Sequence, residues 1–536
     1  MKIFYNANIY NAENPSATAL AIENGRIIAL CSDAEIHQTF PLATHTHNLN
    51  GLTLWPGLTD AHVHLKHLAE SMAMVDCETA TLKECLDRVE KAAKILPPDA
   101  WVRGHGWNHN RWEGGYGSAD LLDKICGGRP AYLTAKSLHA GWANTKALQI
   151  AGLSASTPDP SGGEIQRDQN GNPTGILFEA DAMHLVESRI PKATHTELIT
   201  KFRQLIPELW RMGLVGVHDF DGLDCYQVLE ALKQDGTLPF RVVKNIPFDD
   251  LDTFIQSGLR TYSGDDWLQI GWLKLFADGA LGPQTAAMLA AYEESISTGT
   301  LLLSEDEIIS IGKHAVEYGI ALAIHAIGDR ANRVVLNAFE KIRAFEQEHG
   351  FQHLPHRVEH VQIITPEDVS RFSKLDIIAS VQPVHAPSDM AIADIKLGTR
   401  SADAYAYRTL HDANACLVFG SDAPVEPVNP FYGLHAAVTR RRLDGSPGIN
   451  GWHPEQRLSL DQALRGFSHT PAQIANKGRD FGKIQTGYHA DFILLEDDPF
   501  TIDSQEIWKI KPIATFIDGN CVYQSSGVAF DQSRLK

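Results

Sequence analysis

Eight short apolar runs, separated mostly by amphipathic helical stretches, constrain the fold of this chain more than any other feature. In order they are "LWPGLTDAHVH", "LVGVHDF", "FRVVKNI", "GWLKLFADG", "IALAIHAIGD", "PHRVEHVQ", "DIIASVQP" and "ACLVFGSDA". Each is short enough for a strand, and stretches such as "TELITKFRQLIPELWRMG" and "EDEIISIGKHAVEYG" supply the helices between them. Eight buried strands alternating with helices predict an α/β fold, a (β/α)8 TIM barrel, whose functional groups gather at the C-terminal ends of the strands. The polar residues of the runs lie at those ends.

Two features depart from a bare barrel. Both chain ends read as short alternating strands, "KIFYNANIY" and "ATALAIENGRIIAL" at one, "GYHADFILLE" and "IATFIDG" at the other. Neither end has enough strands to stand alone. They are expected to complete one composite β-sandwich from residues 1–55 and 485–536, around a barrel over 56–484. In addition, roughly 150 residues separate His64 from Leu214, far more than a crossover needs. This interval predicts an inserted subdomain, 97–190, with a hairpin at Asn170-Gly171. Its aromatic residues Trp101, Trp107, Trp112, Tyr116 and Trp142 would line a substrate pocket or form the insertion's own core; both readings stand.

With 47 Lys plus Arg against 66 Asp plus Glu, the net charge is −19, which argues against nucleic acid or an anionic membrane as partner. A small-molecule substrate is expected, and a homodimer is the assembly expected. Seven scattered cysteines with no C-x-x-C pair give neither a zinc knuckle nor a disulfide framework. No apolar block opens the chain, so a cytoplasmic location is expected.

The strand ends form a set. Side chains two apart on a strand share a face, so His62 and His64 point together. The fourth run gives Lys274, the fifth His325, the sixth His360 and the eighth Asp422. Taken singly, each has an ordinary explanation: His325 a hydrogen-bonded core residue, His360 a partner of Glu359, Asp422 a turn cap, Lys274 an ammonium paired with a carboxylate such as Asp278. Together at one barrel mouth they predict a metal site. Gln382 and His385, after the seventh run, would face the same mouth, and Asp329 would orient a neighbour.

The ordered motifs "DAHVH", "LKLFADGALGPQTA", "IHAIGD", "VEHVQ" and "FGSDAPVEP" resemble the amidohydrolase superfamily, and more narrowly its family 3 branch, which includes the N-substituted formamide deformylases. The opening "NGLTLWPGLTDAHVH", the closing "GKIQTGYHADFILLEDDP" and the insertion's "SLHAGWANTKAL" are similar as well. The resemblance implies two divalent ions, zinc being the first expectation. His62, His64 and Asp422 would hold the more buried ion, and His325 and His360 the more exposed one. Lys274 would bridge them as a carbamate derived from carbon dioxide. It also implies Trp107 and His139 near the substrate.

Two cations sharing a water would supply hydroxide near neutral pH, with Asp422 as general base and then general acid in the hydrolysis of an amide, formamide or cyclic amide C–N bond. A mononuclear deaminase of a cyclic amidine is the main alternative, and Lys274 argues against it. A non-catalytic binding relative would be expected to lose ligands, and here every ligand position is filled.

Overall fold

The computed structural model describes residues 1–526 apart from 12, 44, 73, 110–111, 137–139 and 161–162. The chain divides into two compact units, one made of Met1–Lys66 with Phe202–Lys536, the other of His67–Lys201.

In the first unit the eight apolar runs become one eight-stranded sheet. Its strands are β1 (Leu58–Val63), β2 (Leu214–Asp219), β3 (Arg241–Pro247), β4 (Leu268–Phe276), β5 (Leu322–Ala326), β6 (Arg357–His360), β7 (Ile378–Val381) and β8 (Cys416–Phe419). Each pairs in parallel with the next. The ring closes beyond β8, where the Asp422 backbone N–H donates to the His62 carbonyl at 2.8 Å and His64 N–H to the Ala423 carbonyl at 2.9 Å. The arrangement is a TIM barrel.

Local chemistry sets the helices between strands. The helix Glu305–Glu317 starts on a capping box between Ser304 and Glu307, and it turns Ile308, Ala315 and Val316 inward. After β5, helix Asp329–His349 ends at Gly350, whose φ of 68° is the left-handed conformation that closes helices with least strain.

The chain ends contribute two further sheets. One orders Arg26–Cys31, Ala19–Glu23, Lys2–Tyr5 and His45–Asn48; the other orders Asn8–Ile9, Thr53–Pro56, Phe492–Leu495, Ala514–Ile517 and Asn520–Gln524. Phe4 from the first sheet meets Phe492 and Phe516 from the second at ring distances of 5.5 and 5.4 Å, in one buried cluster.

The second unit has a six-stranded sheet with Ala131–Ala135 and Val102–Trp107 near its middle. The expected hairpin is there: Glu164–Arg167 pairs antiparallel with Pro173–Phe178, and Gly171 takes a φ of 84° in the turn. This unit is wider than 97–190. Helix Leu82–Ile95, capped by Thr81, packs Cys85, Val89 and Ala93 into the same cluster as Trp107, Trp112 and Trp142, so it belongs with that sheet. Among the described residues no helix is long and apolar enough to cross a membrane.

Candidate metal centre

At the mouth of the barrel, β1 delivers His62 and, one residue past its end, His64. Their position depends on Asp60, a fully buried carboxylate that accepts from His62 N at 3.1 Å, Ser421 N at 3.0 Å and Ser421 Oγ at 2.5 Å. One side chain thus ties the end of β1 to the segment carrying Asp422. The approach leaves no room for a larger residue between them: a Cβ on Gly420 would lie 2.4 Å from the His62 nitrogen. Asp422 and His360 both take positive φ, 61° and 74°, which costs a non-glycine residue of order 1–3 kcal/mol and is found mostly where function requires a fixed direction.

The groups converge. Asp422 Oδ1 is 3.5 Å from His62 Nε2 and 3.4 Å from His64 Nε2. Ligand atoms of His62, His360 and Asp422 all lie within 4.8 Å of one another. The His325 and His360 rings are 4.5 Å apart, and His62 and His360 are 5.0 Å apart.

Each imidazole has one nitrogen occupied. His62 Nδ1 meets Glu359 at 2.6 Å, His64 Nδ1 meets Asp221 at 3.1 Å, and His360 Nδ1 meets the Gln382 side-chain oxygen at 2.9 Å. His325 differs, using Nε2 on the Gly279 carbonyl at 3.0 Å. An acceptor on one nitrogen draws the proton there and leaves the lone pair on the other, which is how proteins present imidazoles to metals. Burial reinforces this by depressing His62 to about 4 and His325 to about 3, and it holds His360 well below the usual range. All three are neutral at pH 7. His64 goes the other way: burial opposes its charge, but Asp221 and Asp422 raise it to about 10. Asp422 stays well below the normal carboxylate range, its burial outweighed by His62 and His64. Neutral imidazoles beside an ionised carboxylate are a donor set suited to a divalent cation.

Lys274, near the end of β4, is 5% exposed, and its Nζ lies 4.8 Å from the centroids of both Phe220 and Phe276. Among the described residues it makes no ion pair. Asp278 is not its partner, because that carboxylate accepts from the backbone N–H groups of Ile327, Gly328 and Ala287. Burial lowers the Lys274 amine to about 8.

Other expected residues fall into place or away from it. His385 Nε2 is 3.9 Å from Asp422 Oδ2, and Gln382 supports His360. Asp329 accepts from Leu289 N and anchors a loop. Trp107 is corrected: it is 1% exposed, its indole N–H donates to the Leu133 carbonyl at 2.9 Å, and it stacks with Trp112 in the core of its own unit. Five aromatic residues in a short span describe a small core as readily as a pocket, and burial decides for the core at Trp107, Trp112 and Trp142. His139 lies outside the described residues.

Sequence reasoning missed the residues beneath the ligands. Glu359, beside His360 in "VEHVQ", turns away from it to hold His62, because neighbours on a strand face opposite ways. Arg357, two residues earlier on the same face, grips Glu359, the Ala61 carbonyl at 2.9 Å and Ser380 Oγ at 2.5 Å, all without solvent contact. The R-x-E spacing was the available signal.

A family model described as the amidohydrolase family matches residues 45–523. The chain belongs to the amidohydrolase family. This amidohydrolase is 32% identical to the putative amidohydrolase YtcJ of Bacillus subtilis (strain 168), over 96% of its own length and 97% of that protein's. It is 28% identical to an N-substituted formamide deformylase of Arthrobacter pascens, over 97% of this chain and 98% of the relative. A solved structure of an uncharacterized metal-dependent hydrolase from Pyrococcus furiosus superposes with a TM-score of 0.77 at 27% identity, covering 93% of this chain and 100% of that one.

Proposed function

We propose that this amidohydrolase is a metal-dependent enzyme that hydrolyses a C–N bond of a small molecule, an amide, formamide or cyclic amide. One observation carries the reading: four histidines whose outer nitrogens are capped, an ionised Asp422 and an unpaired buried Lys274 share a single barrel mouth. His62, His64 and Asp422 would hold one divalent ion, with zinc the first candidate, and His325 and His360 would hold a second.

A neutral lysine amine can attack carbon dioxide, forming an N–C bond and losing a proton to give a carbamate with two oxygens. Lys274, depressed to about 8, is the amine in this chain suited to that step, and the carbamate would stand between the two ions. Bound divalent ions supply a water of lowered pKa and polarisation of the carbonyl. Asp422 accepts the proton of the attacking water on its carboxylate and returns it to the leaving nitrogen, releasing an amine and an acid. His64 and His62 flank Asp422 Oδ1 and keep the carboxylate ionised and aimed. Glu359, Asp221 and Gln382 hold the rings in place.

In this reading residues 1–55 and 485–536 make a composite β-sandwich and 56–484 the barrel, with the inserted subdomain widened from the expected 97–190 to the compact unit His67–Lys201. The substrate is a small molecule, and Gln382 and His385 contact it. Metal analysis together with assays on N-substituted formamides tests the reading. About two divalent ions per chain, with hydrolysis lost on chelation and regained on adding zinc or manganese, is the expected result. A stable content of about one ion with deamination of a cyclic amidine would overturn it.

A further inference from the structure

Beside Asp422 stands a wall of three polar side chains whose hydrogen-bonding capacity is only half used. Gln362 is 5% exposed, Gln382 1% and His385 7%. The Gln382 side-chain oxygen is taken by His360 Nδ1, so its Nε2 amide group points elsewhere, and among the described residues it has no partner. Gln362 Nε2 donates to His385 Nδ1 at 3.3 Å. That leaves Gln362 Oε1 and His385 Nε2, and neither has a partner among the described residues. Since Nδ1 accepts, Nε2 is the ring nitrogen that carries a proton.

The wall therefore offers two donors, Gln382 Nε2 and His385 Nε2, and one acceptor, Gln362 Oε1. Turning the Gln362 amide over would exchange its role with that of His385 but would still leave one donor and one acceptor between them. Backbone geometry keeps the wall in place, because the Gln382 carbonyl is held by Tyr407 Oη and by His385 N, both at 3.0 Å. A buried polar atom without a partner pays its desolvation cost unreturned, so three together are expected where a ligand completes them.

We propose that Gln362, Gln382 and His385 form a subsite for a second, neutral amide-like group of the substrate, one carrying an acceptor and a donor side by side next to the bond to be broken. This rests on the reading of Asp422 as part of the reacting centre. The neutral class follows from the mixed lining: a carboxylate supplies acceptors only and would leave Gln362 Oε1 without a donor, whereas a carboxamide supplies an acceptor and a donor together.

Calorimetric titration of the zinc-loaded protein with two isosteric probes tests this. N-formylglycinamide carries the second carboxamide; N-isobutylformamide has the same shape without it. The wild type should bind the carboxamide at least about tenfold more tightly, and more tightly than the anion N-formylglycine. Gln362→Met and His385→Phe, made separately, should each shrink the preference to about threefold or less while metal content stays unchanged. Gln382 is left intact because it also supports His360. Absence of a preference in the wild type, including absence of measurable binding, overturns the subsite, as does a preference that survives both variants or a tighter grip on the anion. Turnover recorded on the same samples separates the two ideas: a preserved preference with neither amide cleaved keeps the subsite and removes the proposed hydrolysis.

Discussion

Two lysines on neighbouring barrel strands, Lys244 on β3 and Lys274 on β4, are both buried, yet they are provided for in opposite ways. Lys244 is fully enclosed, with its Nζ 3.0 Å from the Asp219 carboxylate and bonded to the Asp221 and Asn245 carbonyls. Burial works against its charge, but Asp219 more than compensates, and its pKa is raised. Lys274 has no such partner among the described residues, and burial lowers it to about 8. A buried ammonium is tolerated when paired; an unpaired one is driven towards the neutral amine. The pair teaches that burial alone does not mark a reactive lysine. What marks it is burial without a counter-ion at a place where a nucleophilic nitrogen has a use.

The largest effect expected from breaking the contrast is on Lys274. If Lys274 bridges two ions as proposed, Lys274→Ala should cut hydrolysis by on the order of a thousandfold or more and lower metal content, since two cations left without the bridge would repel each other at short range. Acetate or propionate should restore part of the activity, saturating with concentration. Rates unmoved by acid, in a variant that has merely lost stability, would return Lys274 to an ordinary structural lysine.

Lys244→Met should behave in the opposite manner. Removing one partner strands a buried Asp219 charge and costs about 3–5 kcal/mol of stability, read by denaturant unfolding, and acids should bring no rescue. A loss under about 1 kcal/mol would show that Asp219 does not depend on Lys244.

Asp422→Asn keeps the side chain's shape but removes the proton acceptor. It should fold normally and lose about a hundredfold in turnover. Near wild-type rates would take Asp422 out of the proton-transfer role. The variant also removes one of the two carboxylates that favour the charged form of Lys274, so it should move the Lys274 titration lower still.

The smallest effect is in the pH dependence of stability, measured on metal-free protein. Lys274, with its folded pKa below the unfolded value, binds fewer protons folded than unfolded between about pH 8 and the ordinary lysine range, so its contribution should make the fold gain stability as pH rises through that window. Lys244, with its folded value raised, contributes stability that is fully present below the ordinary lysine range and lost as pH climbs through the raised value. Measured against wild type, the Lys274→Met curve should therefore depart between about pH 8 and the ordinary lysine range and the Lys244→Met curve above that range, with opposite signs and by about 1–3 kcal/mol at most. Parallel curves would show that both lysines are equally charged.

The sequence made the barrel legible because buried parallel strands write themselves as continuous apolar runs, and the eight runs coincide with β1 to β8. The ligand candidates were legible for the same reason: polar residues at the ends of such runs have few places to go. The supports beneath them were not. Glu359 acts on His62 from 297 positions away in sequence, and nothing local in "VEHVQ" distinguishes a partner of His62 from a partner of His360. Nothing in "FRVVKNI" singles out Lys244, because the run looks like any strand until Asp219 stands beside it. Trp107 shows the limit of composition, since an aromatic cluster reads alike whether it lines a pocket or fills a core.

Carbon-13 NMR of the zinc-loaded enzyme equilibrated with 13C-bicarbonate reads the chemical state of Lys274 itself. A carbamate on Lys274 should give a protein-bound carbamate carbon in the wild type and in Asp422→Asn, absent from Lys274→Arg. A wild-type sample with both ions bound and no carbamate signal, or a signal that persists in Lys274→Arg, would contradict it.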